Sequence, residues 1–146
     1  MNNKIKISTL TEFGIALRKL RLDYGERMGD MAERLHISTA YLSAIENGRQ
    51  SIPHSLLDRI RKAYPLSEEQ KKSLCRAYSL TVDTFVLPLD GLDSGHRLIT
   101  SFFASRLAEL DAKQIETVAD ALGCGEEFSA LLARHTKDGQ QQIDIS

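Results

Sequence analysis

The sequence holds only two cysteines, Cys75 and Cys124, and neither has a CxxC neighbour or a cluster of histidines beside it. That excludes a disulfide framework and leaves no zinc site to assign, so both are expected to be buried free thiols. No apolar run approaches the roughly 20 residues needed to cross a bilayer. The opening "MNNKIKISTL" lacks the long apolar core of a signal peptide, so the expected location is the cytoplasm, with no membrane partner. His36, His54, His96 and His135 are scattered, and no GxSxG, phosphate-cradling Gly-Lys-Ser/Thr or HExxH arrangement is present. An enzyme would have no motif to rest on, and the chain is expected to be a non-enzyme with no cofactor and no metal. Asp90, Asp93 and His96 have a spacing a metal could use, but no fourth ligand is in view, and helix capping is the expected role. There is no repeat with a period of tens of residues.

What is there is ordinary globular material: 146 residues, 42% hydrophobic and 27% charged, enough for one domain or for a small domain with an appendage. The net charge of −1 hides an asymmetry. Residues 1–80 carry 14 Lys/Arg against 9 Asp/Glu, and residues 81–146 carry 5 against 11. A basic front half and an acidic rear half fit a polyanion-binding module joined to a part that stays off the polyanion.

Helical periodicity organises the front half. Thr9 and Glu12 form a capping box for a first helix over about 10–24, with Phe13, Leu17, Leu20 and Tyr24 inward and Gly25 as its stop. Met28, Met31, Ala32 and Leu35 mark a second, short helix over about 26–35, and His36–Ile37 a break. Ser38 caps a third helix with Tyr41, Leu42 and Ile45 on its buried side, ending at Asn47–Gly48. A fourth helix follows Pro53, and Ser67 caps a fifth. The stretch "TVDTFVLPLDGLDSG" (81–95) alternates and is β-branched, which predicts a short strand and then a linker. Helical spacing resumes from Ser94, with Asp111 and Gln114 capping a further helix, a last short one over about 126–134, and a mobile tail.

Two short helices joined by a tight turn, within a basic front half, are the layout of a helix-turn-helix unit. Thr39, Ala40, Ser43 and Ala44 then occupy the exposed side of the third helix, where they are candidate base contacts. Short side chains let such a helix lie close to base edges, with methyls against thymine and the Ser43 hydroxyl free to donate or accept.

"LRKLRLDYGERMGDMAERLHISTAYLSAIENGRQSIP" resembles the Xre and lambdoid-phage repressor/Cro type of helix-turn-helix domain, over about residues 10–64. The resemblance implies a mainly α, five-helix lambda-repressor-like domain over 1–80. Behind it are expected a short strand or linker with a small helical region that dimerises (81–135), and a tail (136–146). It also implies a structural ion pair between Arg21 and Glu46, and phosphate contacts from Arg49, Gln50 and Ser51. Where the family usually opens its second helix with Thr-Gln, this chain has Arg27 and Met28, so Arg27 and free backbone amides take the phosphate. His36 stands at the turn position usually held by Gly. Tyr41 suits a phosphate contact and packing against the first helix equally.

The implied function is a sequence-specific repressor that binds double-stranded DNA as a homodimer. Leu98, Phe102 and Phe103 are the candidate dimer face, because the rear half carries more apolar surface than isolated helices need. A second reading stays open: the acidic rear half holds a protein partner, as an antitoxin holds a toxin. Three alternating stretches, 4–8, 84–89 and 142–146, are candidates for a small sheet or for frayed ends.

Overall fold

A computed structural model describes residues 10–141, with side chains to Arg134. The described chain divides between Leu87 and Pro88 into two compact units. The first holds α1 (Glu12–Asp23), α2 (Met28–Arg34), α3 (Thr39–Glu46), α4 (Leu56–Ala63) and α5 (Glu68–Thr81). The second holds α6 (Ser94–Arg106), a 3-10 turn (Leu107–Glu109), α7 (Ala112–Ala121) and α8 (Gly125–Gln141).

In the first unit, Phe13, Leu17, Leu20 and Arg21 recur at helical spacing and form the buried stripe of α1. Its cap is Thr11, whose hydroxyl accepts from the Gly14 amide at 3.0 Å. The expected cap Thr9 lies outside the described residues, and its expected partner Glu12 is the first residue of the helix rather than the third, with Thr11 in the cap position. The Phe13 amide donates to Oγ1 of Thr81, 3.0 Å away at the end of α5, so another free amide of the first turn is satisfied by a distant element. α2 starts later than expected because Arg27 is extended (φ −90°, ψ 169°), with its amide donating to Asp30 Oδ2 at 2.8 Å.

Fourteen hydrophobic residues from all five helices and their joints make one buried core, including Phe13, Leu17, Met31, Leu35, Leu42, Ile45, Leu56 and Ile60. A polar corner closes its side. Glu26 pairs with Arg34 and accepts from the Tyr64 hydroxyl at 2.6 Å, while the Arg34 guanidinium lies 4.7 Å over the Tyr64 ring. Burial first, and then the bond to the Glu26 carboxylate, raises the Tyr64 pKa well above that of a free phenol.

The expected strand is absent: the described residues are all-helical, with no sheet. Residues 84–89 run without regular structure, and Phe85, Val86 and Leu87 are exposed. Alternation describes a strand only when a neighbour supplies the ladder, and among the described residues none does, while Pro88 removes one of the donors. The stretches 4–8 and 142–146 lie outside the described residues. Cys75 is exposed rather than buried, and Cys124 is half-buried with its thiol on the Ala119 carbonyl at 3.4 Å.

In the second unit, Asp93 caps α6, accepting from the His96 amide at 2.9 Å and from His96 Nδ1 at 2.8 Å. The backbone bond chiefly, with the ring bond behind it, holds this carboxyl below its usual range. Asp111 and Gln114 form the reciprocal cap of α7. α8 continues to Gln141, through positions 136–141 where composition predicts a tail. The buried hydrophobic side chain described in this unit is Ala119 alone.

α1 and α3 approach so closely at Gly14 that a Cβ there would overlap the Glu46 carbonyl and stand 2.9 Å from its Cα. In an open helix Gly→Ala stabilises by about 1 kcal/mol. Here the obstacle is backbone, so Gly14→Ala is expected to reverse that sign and destabilise by about 1–3 kcal/mol. A thermal melt checks it, since the expected fall is about 4–8 °C per kcal/mol for a domain of this size.

Candidate nucleic-acid interface

The turn between α2 and α3 is built from His36, which holds φ +56°, the left-handed region that Gly usually fills. The Ile37 amide then returns to the Ala32 carbonyl at 3.0 Å, and the Ser38 hydroxyl accepts from the Tyr41 amide at 3.1 Å. Ala32, 2% exposed, lets the two helices cross closely. α3 is thereby held by its Leu42, Ile45 and Glu46 side, all buried.

The opposite side of α3 is open. Thr39 and Ala40 are exposed, and Ser43 and Ala44 are half-buried beside them. At 100° per residue these four occupy one sector, and Asn47 falls in its middle. Asn47 is the residue that sequence reasoning passes over, because it reads there only as a helix stop. Its side-chain amide donates to the Ser43 carbonyl at 2.8 Å. Tyr41 lies partly buried against the core.

The flanking candidates are placed by backbone bonds. Gly48 takes φ +69°, and the Arg49 and Gln50 amides return to the Ala44 carbonyl at 2.9 and 3.1 Å. Arg49, Gln50 and Ser51 are exposed and carried rigidly at the end of α3. Arg27 is exposed at the start of α2, but its own amide is already bonded to Asp30, so that amide is not free for a phosphate. Arg59, Arg61, Lys62, Lys71 and Lys72 are exposed too, with Arg61 paired to Asp58 at 3.2 Å and Lys71 to Glu68 at 2.9 Å.

Beneath α3, Arg21 and Glu46 form a two-pronged ion pair, Nη1 to Oε1 and Nη2 to Oε2, the second at 3.3 Å. Their side chains are 8% and 2% exposed. The Glu46 carbonyl meanwhile accepts from the Thr11 amide at 3.0 Å and from its hydroxyl at 3.3 Å. Thr11 and Gly14 were not marked by hydrophobic spacing, since their role is to seat α1 on a carbonyl of a helix 35 residues away. Leu98, Phe102 and Phe103 lie in the second unit, exposed on α6.

Five helices with a short α2, a tight turn and an α3 exposed on one side define a helix-turn-helix protein. The chain belongs to the helix-turn-helix domain family, whose model matches residues 12–84, in keeping with the Xre and Cro type of sequence pattern. No curated protein and no solved structure matches the chain significantly. The domain points to a DNA-binding regulator, in a family that is typically non-enzymatic. Among the described residues, no helix is long and apolar enough to cross a membrane.

Removing one partner of a buried ion pair leaves a charge without compensation, at a typical cost of about 3–5 kcal/mol. Glu46→Ala is therefore expected to lower the melting temperature by well over 10 °C. DNA selection at a temperature where the variant is still folded should return unchanged base preferences. An unaltered melting temperature would show that the pair contributes nothing.

Proposed function

We propose that the protein is a sequence-specific transcriptional repressor that binds a palindromic operator as a dimer and also controls its own gene. The observation that supports this most is the pairing of an open α3 face made of short side chains with a rigidly held arginine at its end. A helix N-terminus bearing Thr39 and Ala40 enters a major groove without obstruction, and Ser43 and Ala44 follow one turn later. Methyl groups of Thr39, Ala40 and Ala44 then meet thymine methyls, and the Ser43 hydroxyl meets a base edge. Arg27, Tyr41, Arg49, Gln50 and Ser51 take phosphates.

None of Thr39, Ala40, Ser43 and Ala44 offers a bidentate hydrogen bond, and the Asn47 amide among them is turned back to the Ser43 carbonyl, so sequence preference rests on methyl contacts, one hydroxyl and the local shape of the DNA. Few contacts per half-site make two linked half-sites necessary for useful affinity, and Leu98, Phe102 and Phe103 supply the link. The basic front half favours the approach to DNA, and the acidic rear half stays clear of it.

Binding to single-base operator variants at several salt concentrations separates the two kinds of contact, once an operator has been selected from a random DNA pool. Arg49→Ala is expected to weaken all sequences alike and to reduce the salt slope by about one unit, as about one fewer counterion is released. Ala40→Glu and Ser43→Ala are expected to change which bases are preferred, at about 1–3 kcal/mol per disrupted position. Base preferences that move with Arg49 but not with Ser43 or Ala40 would misplace the recognition helix.

A further inference from the structure

The second unit is short of a core. Ala119 is its buried hydrophobic side chain, against fourteen in the first unit, and α6 buries none. Leu98, Ile99, Phe102, Phe103 and Leu107 are each 41–64% exposed. At 100° per residue Leu98, Ile99, Phe102 and Phe103 share one half of α6, with Arg106 among them and Leu107 just past its end, while the other half carries small residues such as Thr100, Ser101, Ala104 and Ser105. A 13-residue helix with no buried side chain does not hold itself together in water. The α7·α8 pair is open in a matching way at Ile115, Leu122 and Leu132. Counting each exposed fraction against ~150–250 Å² for a large side chain, these eight residues offer roughly 800 Å² per chain, near the ~800 Å² per partner of a standard interface.

Charge identifies what covers them. α6 carries His96, Arg97 and Arg106 and no acid. Residues 109–134 carry six acids against Lys113 and Arg134. Glu116 and Asp120 flank the Ile115–Ala119 row of α7 by helical spacing. One chain thus holds a basic apolar helix and an acidic apolar hairpin, yet among the described residues α6 makes no broad packing contact with α7 or α8 of its own chain.

We propose that the two surfaces meet between copies: α6 of one chain docks on the α7·α8 pair of a second copy, and the second returns its own α6. Phe102 and Phe103 enter the apolar row formed by Ile115, Leu122 and Leu132, and Arg106 faces Glu116 and Asp120. The contact is isologous and closes after two chains, so it forms a dimer and no filament. This rests on the dimer reading above and adds to it which surfaces are exchanged.

Sedimentation equilibrium of the full chain tests the exchange through charge. The wild type and Arg106→Lys are expected to dimerise alike. Arg106→Glu, and separately the double variant Glu116→Lys/Asp120→Lys, are each expected to weaken the dimer by about tenfold or more, because like charges then face each other in both copies of the contact. An equimolar mixture of the two is expected to recover to within about threefold of wild type, since each α6 then meets a hairpin of opposite sign. A Glu116→Lys/Asp120→Lys chain that dimerises like wild type would overturn the exchange in favour of α6 on α6. A mixture that fails to recover overturns it as well. So does a monomeric wild type, which would leave the face to an unlike protein. Titrating the same samples with selected DNA separates the readings: a monomer that binds DNA specifically sinks the exchange alone, and a dimer that binds none sinks the DNA reading alone.

Discussion

Glu46 is the residue on which the helix-turn-helix unit depends. Its carboxylate grips Arg21, its carbonyl accepts from Thr11, and its backbone is the wall against which Gly14 lies. Those contacts fix α3 against α1 in both angle and distance. A charged pair this deeply buried would cost more than it returns if either side were left alone, which makes it an all-or-none fastener. α3 spans only eight residues, too few to be helical by propensity, so the fastener and the Leu42/Ile45 face are what make it a helix at all.

Rigidity matters here because the exposed side of α3 is made of short groups. A long arginine or glutamine can adapt to a misplaced helix by several ångströms, but a methyl or a hydroxyl cannot. On the proposed reading of bases by Thr39, Ala40 and Ser43, the backbone of α3 has to be placed by the scaffold, and the bonds from Arg49 and Gln50 to Ala44 extend the same precision to the flanking loop. The polar corner of Glu26, Arg34 and Tyr64 performs a similar service for α2, tying it to the far end of α4.

The two units differ in how complete they are. The first builds a fourteen-residue apolar core within one chain, though Ile15, Leu22 and Phe85 to Leu87 stay exposed, whereas the second holds capped helices, each with a sound start at Asp93 or Asp111, and leaves most of its large side chains in water. Local signals suffice to start and stop helices. They do not supply a core, and the exchange proposed above is what would complete this unit.

The five front helices and their caps at Ser38 and Ser67 were legible in the sequence, because helical spacing and capping chemistry act over a few residues and leave a local mark. So was the turn at His36, and so, through family resemblance, was the partnership of Arg21 and Glu46. The strand over 84–89 was misread, since alternation is local while a ladder requires a neighbour elsewhere in the fold. The cap at Thr11 fell where long-range bonds to the Glu46 carbonyl placed it, whereas the start of α2 at Arg27 was set by a local bond to Asp30 that hydrophobic spacing does not mark. What only the tertiary structure decided is everything that depends on two distant backbones meeting: why residue 14 is Gly, why Thr81 bonds Phe13, and why α6 is left bare. A sequence records the chemistry of each residue, but the approach of one helix to another is a property of all the packed side chains at once.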